Sequence, residues 1–117
     1  VVSIAQAVQT FCREKGIDER RATLAGLFLE EMAGNVVDHG FHRDKKQHTV
    51  DVRVVYKGGG ILLRIKDDCI PFDPAERSAM TDSAAPEKNI GIRMVYGMAK
   101  DIRYQNILGL NVLTIQI

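Results

Sequence analysis

Hydrophobic and polar positions change their period along the chain. Ile4, Ala7, Val8 and Phe11 fall at i, i+3, i+4 and i+7, one stripe of an amphipathic helix, and Gly16 is placed to stop it. Asp18 is placed to cap a second helix that runs to about Asp38, with Gly40 as its stop. Leu24, Leu27, Phe28, Leu29, Met32, Val36 and Val37 lie on several faces of that helix, which predicts a central, buried element. Positions 41–48 are polar and read as a loop. Then the period drops to two. Val50, Val52, Val54 and Tyr56 alternate with Asp51 and Arg53, Lys57-Gly58-Gly59-Gly60 is a turn, and Ile61, Leu63 and Ile65 alternate with Arg64 and Lys66. This is the pattern of an antiparallel hairpin. From Asp67 to Asn89 the chain turns irregular and holds all three prolines, a length that favours a functional lid. A third helix is predicted from Asn89, covering Ile92, Val95, Met98 and Ala99. Two strands, 102–107 and 112–117, close the chain around a turn at Gly109. The order predicts an α+β fold, a two-layer sandwich with helices on one face of a mixed, mostly antiparallel sheet.

Composition narrows the classes. The chain has 117 residues, 45% hydrophobic and 26% charged, enough for one core. Lys plus Arg number 16 against 15 for Asp plus Glu, a net charge of +1, which argues against direct nucleic-acid binding. No apolar run is long enough to span a membrane. Cys12 and Cys69 are too few for a disulfide framework or a cysteine cage. With no signal peptide at the start of the chain, they point to a reducing, cytoplasmic setting. The start at Val1 and the end inside an apolar run at Ile117 give the expectation of a single domain over 1–117, excised from a longer chain or lacking its first strand.

Three segments carry candidate chemistry. Glu31, Asn35, Asp38 and His39 share one face of the second helix, within an arc of roughly 100°. Such a polar stripe on an apolar helix needs partners if buried, and a hard cation held with phosphates would suit it. A solvated face at a helix end is the alternative. Asp67-Asp68-Cys69-Ile70-Pro71-Phe72-Asp73 puts a carboxylate where a strand ends, able to accept from a ligand N–H, or else forms an ordinary acidic turn. In Asn89-Ile90-Gly91-Ile92-Arg93, Gly91 sits where a loop enters a helix, a place that binds phosphate or simply packs closely.

The three segments in this order resemble the GHKL, or Bergerat-fold, ATP-binding superfamily, and within it the bacterial anti-sigma-factor serine/threonine kinases. Glu31, Asn35, Asp38 and His39 match that family's E-x-x-x-N box and its usual followers. The stretch from Asp67 to Asp73 matches its first glycine box, with Cys69 where glycine is usual. Asn89 to Ile92 matches its second, with Asn89 in place of the first glycine. The last strand, from Asn111 to Ile115, is also similar, although Leu110-Asn111 stand where many relatives carry Thr.

The resemblance implies a protein kinase domain that uses ATP and Mg2+. Glu31 would be the general base and Asn35 the metal ligand. Asp67 would accept the adenine amine, and Gly91 with Ile92 would meet phosphates. Asp38, His39, Pro71 and Phe72 would complete the nucleotide site. Lys88 and Arg93 would be phosphate partners or solvated surface charges. The implied partners are an anti-anti-sigma-like protein substrate and a sigma factor. A homodimer and a membrane or sensor domain elsewhere in a longer chain also fit the family. Two other readings stay open: the ATP-binding module of a histidine kinase or larger sensor, and a non-catalytic, nucleotide-gated binding module.

Overall fold

The computed structural model describes residues 3–40, 47–71, 74–75 and 90–117, with the side chains of 38–40 left aside. Helix α1, Ile4–Glu14, begins with a capping box. Ser3 Oγ accepts from the Gln6 N–H at 3.1 Å, and Gln6 returns a bond to the Ser3 N–H at 3.3 Å. Gly16 adopts φ 73°, which a side chain resists, and lets the Ile17 N–H reach back to the Cys12 carbonyl at 2.9 Å. Asp18 then caps helix α2, Glu19–Gly40, by accepting from the Arg21 N–H at 3.1 Å.

α2 is central, as its apolar pattern predicts. It packs on α1, on two strands and on the third helix. Phe28, Leu29 and Met32 have almost no exposure. Leu27 and Val37 point the other way and are partly exposed, so the helix is buried on most of its circumference but not all. α1 crosses it closely at Gly26, where a methyl group would press Gln9 Nε2 at 2.7 Å and the Ala5 carbonyl at 3.1 Å.

The strands are β1, Val50–Lys57; β2, Gly60–Asp67; β3, Asp101–Ile107; and β4, Leu110–Gln116. Between the hairpins lies α3, Ile90–Met98. The sheet order is β1-β2-β4-β3, and every pairing among the described residues is antiparallel. Each hairpin closes on two residues with positive φ, Gly58-Gly59 and Leu108-Gly109. That geometry matches the twist of the flanking strands.

Ile61, Leu63 and Ile65 of β2 alternate inward beside Leu113 and Ile115 of β4, and α2 and α3 cover them. Each such side chain, fully buried, contributes about 1.5–3 kcal/mol. α3 adds Ile92 and Val95, whereas Met98, expected on the same stripe, is exposed at the helix end. The Asp67↔Asn111 register of the β2–β4 pair joins the two hairpins and places two polar residues side by side at one end of the inner face. No helix among the described residues is long and apolar enough to cross a membrane.

Candidate functional site

β2 ends at Asp67, which is buried at 7% exposure. Among the described residues, both bonds it accepts fall on Oδ1: one from the Cys69 N–H at 3.0 Å and one from Asn111 Nδ2 at 2.8 Å. The first is a local turn that pulls the chain back after the strand. The second comes from the neighbouring strand.

Asn111 has its whole amide engaged. Nδ2 also donates to the Cys69 carbonyl at 3.0 Å, while Oδ1 accepts from the Tyr104 hydroxyl at 2.6 Å and from Asn106 Nδ2 at 3.0 Å. A side-chain amide offers two donor and two acceptor positions, and all of them are used. The Asp67 carboxylate is therefore held in one orientation, and Oδ2 is the oxygen left to accept from a ligand.

Facing this network across a small cavity are Met32, Asn35 and Val36 of α2, with Pro74 at the lid side. The cavity holds about 20 Å³, room for little more than a water molecule. A purine would enter only if its walls part. Asn35 is buried at 8% exposure and lines the same space as Asp67.

One helical turn before Asn35, Glu31 is exposed. Its carboxylate lies against Gly91 in the first turn of α3, so closely that a methyl group on Gly91 would overlap it. A side chain at Gly91 would therefore make the Glu31 carboxylate move aside. A carboxylate there is also favoured by the N-terminal end of the helix, typically by about 0.3–1 kcal/mol.

Of the stripe predicted on α2, the structure brings Glu31 and Asn35 to the site. Asp38 and His39 lie in the last turn of the helix, with side chains outside the described residues. Pro71 is exposed just beyond the Asp67 turn. Phe72 and Lys88 lie outside the described residues, as does most of the expected lid. Ile92 has its side chain in the core, so only its backbone N–H is available to a ligand. Arg93 is half-buried, with Nε fully covered; it is not a solvated surface charge.

Tyr104 and Asn106 are site residues that sequence reasoning did not single out, and it names Asn111 only as standing where many relatives carry Thr. A signal existed for Asn111. It stands at an inward position of β4, in step with Leu113 and Ile115, where an amide needs a partner.

The model of the family described as "Histidine kinase-like ATPase domain" matches residues 1–117. The chain belongs to that family. It is similar in fold to the histidine kinase domain from the Erythrobacter litoralis EL346 blue-light activated histidine kinase, with a TM-score of 0.63 and 22% identity, over 86% of this chain and 46% of that one. A second structure of the Erythrobacter litoralis EL346 blue-light activated histidine kinase matches with a TM-score of 0.65 and 18% identity, over 86% of this chain and 31% of the other. The chain spans less than half the length of either solved structure. No curated protein matches in sequence.

The residues present fit the nucleotide and metal that such a fold implies. Asp67 Oδ2 suits an amine donor, the Asn35 amide oxygen is a hard donor of the kind Mg2+ takes, and the side-chain-free Gly91 keeps the start of α3 open to an anion.

Proposed function

We propose that this domain binds ATP with Mg2+ and transfers the terminal phosphate to Ser or Thr of a regulatory protein. The observation that carries the reading is the shared cavity. A fixed buried carboxylate, Asp67, and a buried amide, Asn35, line it from opposite layers, and a carboxylate not otherwise needed by the core, Glu31, stands one turn away beside the start of α3. In this reading Asp67 accepts the adenine amine and Asn35 holds Mg2+. The metal, when bound, offsets phosphate charge. Glu31 takes the proton from the attacking hydroxyl, and its exposure leaves it accessible to a partner's side chain. On the motif resemblance, the partner is an anti-anti-sigma-like protein and a sigma factor is a second ligand.

One observation favours a second reading. The similar solved structures are light-activated histidine kinases, and this chain covers less than half of each. A module of that kind would deliver phosphate to a histidine supplied by another segment.

The test is transfer of labelled phosphate from ATP to candidate partners, followed by acid treatment of the product. The proposal expects an acid-stable phosphoester, and an acid-labile product would move the domain to the second reading. Glu31→Gln should retain nucleotide binding and lose about 10²–10⁴-fold in transfer rate, the usual worth of a general base. Unchanged transfer would remove Glu31 from that role.

A further inference from the structure

Antiparallel pairing brings together three side chains that the nucleotide reading does not use. Val50 pairs with Asp67 at the end of the β1–β2 ladder. One step beyond, Thr49 donates its N–H to the Asp68 carboxylate at 3.1 Å, and His48 places Nδ1 3.1 Å from the same oxygen. Cys69 follows directly. One ligand atom from each of His48, Asp68 and Cys69 lies within 4.8 Å of the other two. The His48 side chain is only 5% exposed and Cys69 only 3%, so two of the three are sheltered. Asp68 is 41% exposed and leaves one side open to solvent.

We propose that His48, Asp68 and Cys69 form a binding site for a transition-metal dication of the Zn2+ type. The donor set is one imidazole nitrogen, one thiolate sulfur and one carboxylate oxygen. This mixture suits Zn2+ or Co2+ and does not suit Mg2+ or Ca2+, which take oxygen ligands. In a tetrahedral zinc site, ligand atoms bonded at about 2.0–2.3 Å stand roughly 3.3–3.7 Å apart. His48 Nδ1 and the Asp68 oxygen, 3.1 Å apart, are already near that spacing, and with every separation within 4.8 Å side-chain rotation can close the set. Three protein ligands leave a fourth position for water.

The supporting contacts are already in place. The Thr49 N–H orients Asp68. Both backbone groups of Cys69 are bonded, its N–H to Asp67 and its carbonyl to Asn111, so the thiol is carried by a fixed turn. The site is separate from the Asn35 position and requires no nucleotide.

The experiment is titration of the reduced chain with Co2+ alone, read by absorption. The expected result is one Co2+ per chain, with intense visible bands of a tetrahedral ion and a near-ultraviolet thiolate-to-cobalt charge-transfer band, both lost when Zn2+ is added. Cys69→Ser should abolish the charge-transfer band, and His48→Gln should weaken Co2+ binding by at least about tenfold. Cys12→Ala, which removes the other thiol from the core, should leave the spectrum unchanged. A parent spectrum without the charge-transfer band overturns the proposal, whether or not the variants fold. So does a band that survives in Cys69→Ser, or a Co2+ affinity that is unchanged in His48→Gln.

Discussion

At one end of the cavity, Asp67, Asn111, Tyr104 and Asn106 form a bonded network in which Asn111 spends its entire hydrogen-bonding capacity. At a second, helix end, outside the cavity and one turn before Asn35, Glu31 is exposed and sits against Gly91 at the start of α3. The first end lies on β-strands, where pairing register sets which residues meet. The second lies between two helices, α2 and α3. Recognition of a flat ring requires a preset acceptor, and the strand end provides one. Phosphate chemistry requires access for a second molecule, and the helix end leaves it open. The same division separates stability from activity. On the proposed function, residues at the strand end would support both fold and binding, whereas those at the helix end would change with little effect on folding.

The largest expected effect tests that division directly. Asn111→Leu strips Asp67, the Tyr104 hydroxyl and the Cys69 carbonyl of a partner. Each buried group left unsatisfied costs about 1–3 kcal/mol, so denaturant unfolding should show a loss of about 2–5 kcal/mol. Asn35→Ala should lose less than about 1 kcal/mol of stability yet weaken Mg2+-dependent nucleotide binding at least about tenfold, roughly the worth of one hydrogen bond to a charged partner. Equal destabilisation by the two changes would end the contrast between the ends.

Gly91→Ala probes the helix end. The added methyl must displace the Glu31 carboxylate, but Glu31 is exposed and free to swing outward. Stability should change by less than about 1 kcal/mol, since the clash is with the far end of a flexible side chain. Phosphate transfer should fall with little change in ATP affinity. Combining Gly91→Ala with Glu31→Ala should reveal coupling of at least about 0.5 kcal/mol between the two positions. Additive effects would mean that the contact is incidental.

Leu108→Asn acts in the β3–β4 turn, next to the strand end but on a side chain that points into solvent. Leu108 is 98% exposed and holds φ 53°, beside Gly109 in the β3–β4 turn, whereas the β1–β2 turn uses Gly58-Gly59 for the same geometry. A left-handed backbone costs an ordinary side chain about 1–2 kcal/mol, and Asn tolerates it better. The variant should melt a few degrees higher, by roughly the shift that about 1 kcal/mol gives a chain of this size. Its nucleotide binding should be unaltered, which makes it the control for the changes above.

The smallest effect is on acid stability at the α1–α2 joint. The Arg21 guanidinium, helped by the Arg21 N–H, holds the Asp18 carboxyl below its usual range, and the Arg13 guanidinium does the same for Glu19. A depressed folded value means that the stabilisation is fully present above the unfolded pKa and is lost as pH falls through the folded one. The loss should appear below about pH 4. Asp18→Asn keeps a capping side chain and should flatten the pH dependence of unfolding in that window, as followed by circular dichroism.

Much of this was written along the chain in local form. The period of 3.6 and then of two located each described helix and strand to within a few residues, because burying one face of each element dictates that spacing. Asp18 and Gly16 announced a helix start and stop by their own conformational preferences. Glu31 and Asn35 could be paired because one helical turn separates them. Gly91 could be singled out as a helix entry, but its reason could not. The carboxylate it accommodates belongs to a residue sixty positions earlier. Ile92 and Arg93 show the same limit, since whether a side chain at a helix start faces ligand, core or solvent depends on what packs there.

What the sequence determined by itself was the inventory: which segments are helix or strand, which faces are apolar, and which carboxylates and amides are placed for chemistry. Those follow from interactions between residues a few positions apart. Only the tertiary structure decided that β2 pairs with β4, and with it the Asp67↔Asn111 register; pairing within each hairpin brings Tyr104 and Asn106 to Asn111, and His48 to Asp68 and Cys69. The contacts of Asn111 with Asp67 and Cys69 join residues 44 and 42 positions apart and depend on a sheet order that either hairpin alone leaves open. Their geometry is set when the common hydrophobic face of both hairpins is buried beneath α2 and α3, a global condition that no short window of sequence contains.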